Sequence, residues 1–161
     1  MNAPTEQPLS VDDASPAMPR RVFLAAGLAA FTAGGAVALA TLGGLGAPQQ
    51  ESFRFSRGTA FAAGEEDRLR AFVLEAARDD AIAVVIAGHS GTSGDAEANR
   101  DLSQDRATRA AEIARAAGVP DARMSVVALG GAAPLSQETG EAERAYQARL
   151  ARVEVSLQVR R

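Results

Sequence analysis

The chain has 161 residues, a formal net charge of −3 and an apolar share of 47%, with few aromatic residues, a single histidine and neither cysteine nor tryptophan. Without cysteine there can be no disulfide, thiolate metal site, cysteine nucleophile or lipidated N-terminal cysteine, and one histidine cannot make a multi-histidine metal centre. All 17 basic residues are arginine and lie interspersed with acids, which argues against a nucleic-acid partner.

Residues 1–19 hold four prolines and no periodic apolar pattern, and are expected to form a disordered cytoplasmic tail. Arg20 and Arg21 precede Val22 to Ala47, a run of 26 residues without charge. At about 1.5 Å per helical residue that run can cross a hydrocarbon core of roughly 30 Å. The flanking arginines would keep the N-terminus cytoplasmic and export the C-terminal part. The same segment can be read as a cleaved export signal, because Arg20-Arg21-Val22-Phe23-Leu24 resembles a twin-arginine motif and Ala38-Leu39-Ala40 is a tolerable cleavage site. Residues 20–47 are therefore expected to be a transmembrane helix or an export signal, with the membrane contacted through residues 22–47. Ala26, Ala30, Gly34 and Ala38 recur every four residues, spacing that lets a second helix approach in a homo-oligomer or with a membrane-protein partner.

Residues 48–52 read as a short linker, and 53–161 as an exported domain. Phe53 and Phe55 alternate with polar residues as a strand with one buried face. Glu65, Glu66 and Asp67 supply the negative first turn of a helix, and Leu69, Phe72, Val73, Ala76 and Ala77 carry its apolar stripe to about Asp80. Ala81 to Ala87 is an apolar run suited to a central strand. A Gly-rich loop leads to a long helix from about Asp95 to Ala117, stopped by Gly118 and Pro120. Met124 to Leu129 is a third strand, Glu141 to Leu150 a third helical segment, and Val153, Val155, Leu157 and Val159 alternate as a final strand.

The junction of the central strand and the long helix carries the most specific pattern, Gly88 to Ala107, GHSGTSGDAEANRDLSQDRA. It resembles the peptidoglycan-associating motif of OmpA-like domains, G-H-T-D-x-x-G-x-x-x-x-N-x-x-L-S-x-x-R-A. Gly88, His89, Gly94, Asn99, Leu102, Ser103, Arg106 and Ala107 fall in register, Ser90 stands for the threonine and Gly91 for the aspartate. Gly130 and Pro134 fit the family's G-E-x-x-P turn with Gly131 at its Glu, and Arg152-Val153-Glu154-Val155 fits the end of its N-R-R-V-E-I segment. The resemblance implies an α/β sandwich of order β-α-β-α-β-α-β, a mixed sheet with helices on one face, here preceded by one transmembrane helix.

Asn99 and Arg106 fall inside the apolar arc of the long helix, where a guanidinium is costly unless it is paired or holds a ligand. The resemblance implies that Arg106 grips the free carboxylate of diaminopimelate in the peptidoglycan stem peptide and that Asn99 and Ser90 line the pocket. It further implies that the residue at Gly91 is normally an acid holding the ligand's ammonium. Glycine there predicts weakened or lost peptidoglycan binding, since a charge-assisted hydrogen bond is worth about 1.5–3 kcal/mol. The structural alternative for Arg106 is an internal acid or loop carbonyls as partners. His89 is expected to serve a structural hydrogen bond, and no nucleophile and base pair, metal site or cofactor motif stands out. Two functions are compatible with these residues: an inner-membrane, single-pass envelope protein (or an exported, cleaved one) whose periplasmic domain associates with peptidoglycan, or a membrane-anchored interaction subunit that no longer does. Neither is an enzyme.

Overall fold

A computed structural model describes residues 48–160. The expected tail, and the segment over 20–47 expected to be a membrane span or signal, lie outside the described residues. Among those described, no helix is long and apolar enough to cross a membrane.

In chain order the elements are β1 (Gln49–Arg57), β2 (Ala60–Phe61), α1 (Glu65–Arg78), β3 (Ile82–Gly88), α2 (Ala96–Ala116), a 3₁₀ turn (Asp121–Arg123), β4 (Met124–Ala128), α3 (Glu143–Leu150) and β5 (Arg152–Val159). The sheet order is β2-β1-β5-β3-β4. β5 runs antiparallel to both β1 and β3, and β3 runs parallel to β4. The sheet is thus mixed, as expected, with one short hairpin strand, β2, added.

Two boundaries differ from expectation. The first strand begins at Gln49 rather than Phe53, so the linker expected over 48–52 shrinks among the described residues to Pro48. Gln49 to Ser52 carry no apolar alternation, and they are strand because they pair with Glu154 to Leu157 of β5. α3 starts at Glu143 rather than Glu141, since Glu141 instead takes two hydrogen bonds from Arg149 and holds the loop before the helix.

The alternation along the strands sends Phe53 and Phe55, Val84 and Ile86, and Val153, Val155 and Leu157 to one face. Against it lie Leu69, Val73 and Ala76 of α1 and Ala107, Ala110, Ile113 and Ala114 of α2. α2 can be Ala-rich there because it sits very close to the sheet. α3 meets the sheet at β1 and buries Leu150 apart from this core.

α2 starts on Asp95, whose carboxylate accepts from Ala98 N–H at 2.7 Å, and closes with Gly118 at φ +105°. The pairing directions bring the end of β3, the end of β4, the start of β5 and the far end of β1 to one side of the sheet. The loops carrying the Gly88–Ala107 motif gather there.

Candidate functional site at the loop end of the sheet

Gly88 is the pivot of this end. A Cβ on it would run into the backbone carbonyl of Ser103 and stand 2.9 Å from that carbonyl's carbon and 3.0 Å from Ala107 Cβ. Glycine therefore lets α2 lie against β3. Ser103, fully buried, donates to Arg100 O (2.7 Å) and accepts from Gly130 N–H (2.9 Å), tying the loop after β4 to the helix. Leu129 N–H donates to Gly88 O and Ser90 N–H to Gly130 O, both at 2.9 Å. The glycine and serine of the motif are thus architectural.

His89 is buried, its backbone N–H donating to Arg152 O (2.9 Å). Its ring lies 3.7 Å from Glu154 Oε1, and neither ring nitrogen has a hydrogen-bond partner among the described residues. Burial first, then the Arg152 guanidinium, lowers its pKa to about 4 against the pull of Glu154. At neutral pH it is an uncharged ring; the Ala133 backbone also pulls its pKa upward, but no ring hydrogen bond of good geometry forms among the described residues, so the hydrogen bond expected of it is not seen.

Arg106 is 4% exposed. Its Nε donates to Gly58 O (2.8 Å), its Nη1 to His89 O (2.9 Å), and its guanidinium lies 5.2 Å from the centre of the Phe55 ring. Burial lowers its pKa, yet an arginine this hard to deprotonate stays charged. Two other arginines are as deeply buried, and sequence reasoning singled out neither. Arg123 donates to Ala76 O, Asp79 O and Ile82 O and meets Asp80 at 3.3 Å; Arg152 meets Glu154 at 2.7 Å. Each has an acid beside it. Among the described residues Arg106 makes no ion pair with any acid, and its Nη2 makes no hydrogen bond.

The other expected site residues share this loop end but do not converge on Arg106 through hydrogen bonds. Asn99 donates from Nδ2 to Ser93 O (2.9 Å) and so braces the loop. Ser90 is buried and its hydroxyl reaches only Gly91 O at 3.3 Å. Gly91 is hemmed in from two sides. A Cβ at Gly131 would meet its carbonyl oxygen at 2.7 Å, and the side-chain oxygen of Gln147 fills the space where a side chain on Gly91 would begin.

Gln147, on α3, is a site residue that sequence reasoning missed. Its Oε1 accepts from Thr92 N–H and its Nε2 donates to Thr92 Oγ1, both at 2.9 Å, and Nε2 also donates to Glu143 Oε1 at 2.7 Å. A glutamine 55 positions from the threonine it holds gives no local signal. Among the described residues no group of His, Asp and Glu is arranged to hold a metal ion.

A model of the OmpA family matches residues 55–148. Among solved structures, the chain is similar to the peptidoglycan-associated lipoprotein from Burkholderia pseudomallei, with 23% identity, 66% of this chain and 89% of that one covered, and a TM-score of 0.57. It is also similar to a putative MotB-like protein from Desulfovibrio vulgaris (25% identity, 66% and 70% covered, TM-score 0.52). A third likeness is to the OmpA-like domain of FopA1 from Francisella tularensis subsp. tularensis SCHU S4 (17% identity, 74% and 78% covered, TM-score 0.54). No curated protein matches the sequence. The family match takes in more than half of the chain, including the whole Gly88–Ala107 motif and Gln147: the chain belongs to the OmpA family.

Proposed function

We propose that this is a cell-envelope protein whose OmpA-like domain associates non-covalently, and weakly, with peptidoglycan. The observation that supports it best is Arg106, a buried guanidinium that among the described residues meets no acid and bonds through only two of its three nitrogens. Such a cation is costly to bury and gains most from an incoming carboxylate, the group that the family resemblance assigns to it in a stem peptide. Gly91 supplies no acid for the ligand's ammonium, and Gln147 offers a neutral amide in that space, so the grip is weakened. Asn99 and Ser90 shape the loop rather than bind directly. Of the similar structures, one is named a peptidoglycan-associated lipoprotein and others are periplasmic domains of MotB, which supports the periplasmic side of an envelope.

The membrane attachment through residues 22–47 belongs to the same proposal, either as a single-pass inner-membrane anchor with a cytoplasmic N-terminus or as a cleaved signal. β1 starts so early that an uncleaved anchor leaves the domain almost no linker with which to reach a distant wall. With the Gln147 side chain beside Gly91, this favours a second reading, a membrane-anchored interaction subunit that no longer binds peptidoglycan. No catalytic step, cofactor or nucleic-acid partner enters either reading.

Co-sedimentation of the protein with purified peptidoglycan separates the two. Weak sedimentation above a blank, lost in Arg106→Gln while the thermal melt survives, supports wall binding. Sedimentation equal to the blank in both proteins supports the interaction subunit.

A further inference from the structure

Among the described residues the sheet has two edges, and only one is protected. At one side β2 is two residues long and its pairing with β1 shifts register between Phe55 and Arg57, a short, irregular edge. At the other side β4, Met-Ser-Val-Val-Ala, carries no charge, no proline and no bulge. Val126 and Val127 point to opposite faces and are 38% and 44% exposed.

The free hydrogen-bonding groups of β4 are set by its phase. Leu129 N–H donates to Gly88 O, so in the parallel ladder Ser125, Val127 and Leu129 face β3. Val126 and Ala128 therefore turn both N–H and C=O outward, and neither N–H has another backbone partner among the described residues. Met124 turns outward too, but its N–H is spent on Asp121 O, leaving the carbonyl.

We propose that this edge pairs with the same edge of a second copy of the chain, antiparallel about a two-fold axis at Val126. In that register Val126 N–H and C=O of each copy meet those of the other, and Ala128 N–H of each copy faces the Met124 carbonyl of the other. The Ala128 carbonyl, whose donor would be the spent Met124 N–H, is the one outward group that this register leaves without a partner. The strand sets no like charges opposite each other on self-pairing. Arg100 and Asp101 of α2 line the groove beside Val126 and Val127, so two copies bring both signs to the same seam. A strongly acidic or basic peptide would find one of the two opposed. The contact is small against the roughly 1,600 Å² of a standard stable interface, so the association is weak and reversible. It is independent of whether the domain binds peptidoglycan.

The chain has no cysteine, so an introduced one is a unique probe. Residues directly opposite in a hydrogen-bonded antiparallel pair have Cα atoms about 5.5 Å apart, within disulfide range. Full-length protein with Val126→Cys, under mild oxidation, is expected to form a dimer about tenfold more than Thr59→Cys at the opposite edge, given that geometry. Adding Val127→Arg or Ala128→Pro should return the yield to the control; the proline removes only an outward N–H. Yield equal to the control, a cross-linked product of another mass, or a dimer indifferent to both second substitutions would each overturn the proposal. The first of these is also what coverage of β4 by residues 1–47 would give.

Discussion

The side-chain amide of Gln147 stands where a side chain on Gly91 would begin, so that the missing acid of the motif is matched by a neutral group delivered from another helix. The amide is held there by Thr92 on one side and Glu143 on the other. A side chain at 91 and this brace would occupy the same space, so substitutions at the two positions should not act independently.

Gly91→Asp places a Cβ on the far end of a flexible side chain, so Gln147 can swing away at the cost of its Thr92 bonds. We expect a loss of about 1–2 kcal/mol, one or two ordinary hydrogen bonds. In Gln147→Ala the bonds are already gone, so the double variant should lose about 1 kcal/mol less in total than the sum of the two single changes. Urea denaturation midpoints of the four proteins measure the coupling; strict additivity would show that the two positions do not compete for space.

At Gly88 nothing can yield, because the obstacle is the backbone of Ser103. Gly88→Ala should push α2 off β3 and destabilise the domain by about 3 kcal/mol, the upper end of overpacking costs. Thermal unfolding followed by circular dichroism checks it. A melt indistinguishable from wild type would mean that α2 does not lie so close to β3.

His89 makes stability pH-dependent in a defined window. Its pKa is about 4 in the fold against 6.5 for a free histidine, so between those values the unfolded chain takes up a proton that the folded chain refuses. Stability should fall as pH drops from 6.5 towards 4, by an amount on the order of 3 kcal/mol, and His89 should contribute no further change below that. Denaturation midpoints at about pH 7 and about pH 4.5, either side of most of that window, compared between wild type and His89→Gln, isolate the term. An equal pH dependence in both would place the titration elsewhere.

Much of this architecture could be read from residue order. Alternation in Val153 to Val159, the apolar run before Gly88 and the Gly118–Pro120 stop all mark elements where periodicity is set by a buried face. The features that escaped were decided by partners distant in sequence. Gln49 to Ser52 are strand because β5 pairs with them, β2 is two residues long, and the buried Arg123 and Arg152 donate to carbonyls of other segments. At the site, Arg106 was legible because a cation falls on an apolar arc. Loop carbonyls were one of the alternatives for its partners, but their identity as Gly58 O and His89 O, and the role of Gln147, were not legible, since each is made by loops meeting in space.

On the function proposed above, Arg106 receives a carboxylate and Gly91 supplies no opposing charge. The most direct test of this is co-sedimentation of the Gly91→Asp, Gln147→Ala double variant with purified peptidoglycan, beside wild type. Restoring a charge-assisted contact worth about 1.5–3 kcal/mol predicts at least a roughly tenfold gain in affinity over a weak wild-type signal. A folded double variant that sediments no better than wild type, with both at the level of a blank, would contradict it.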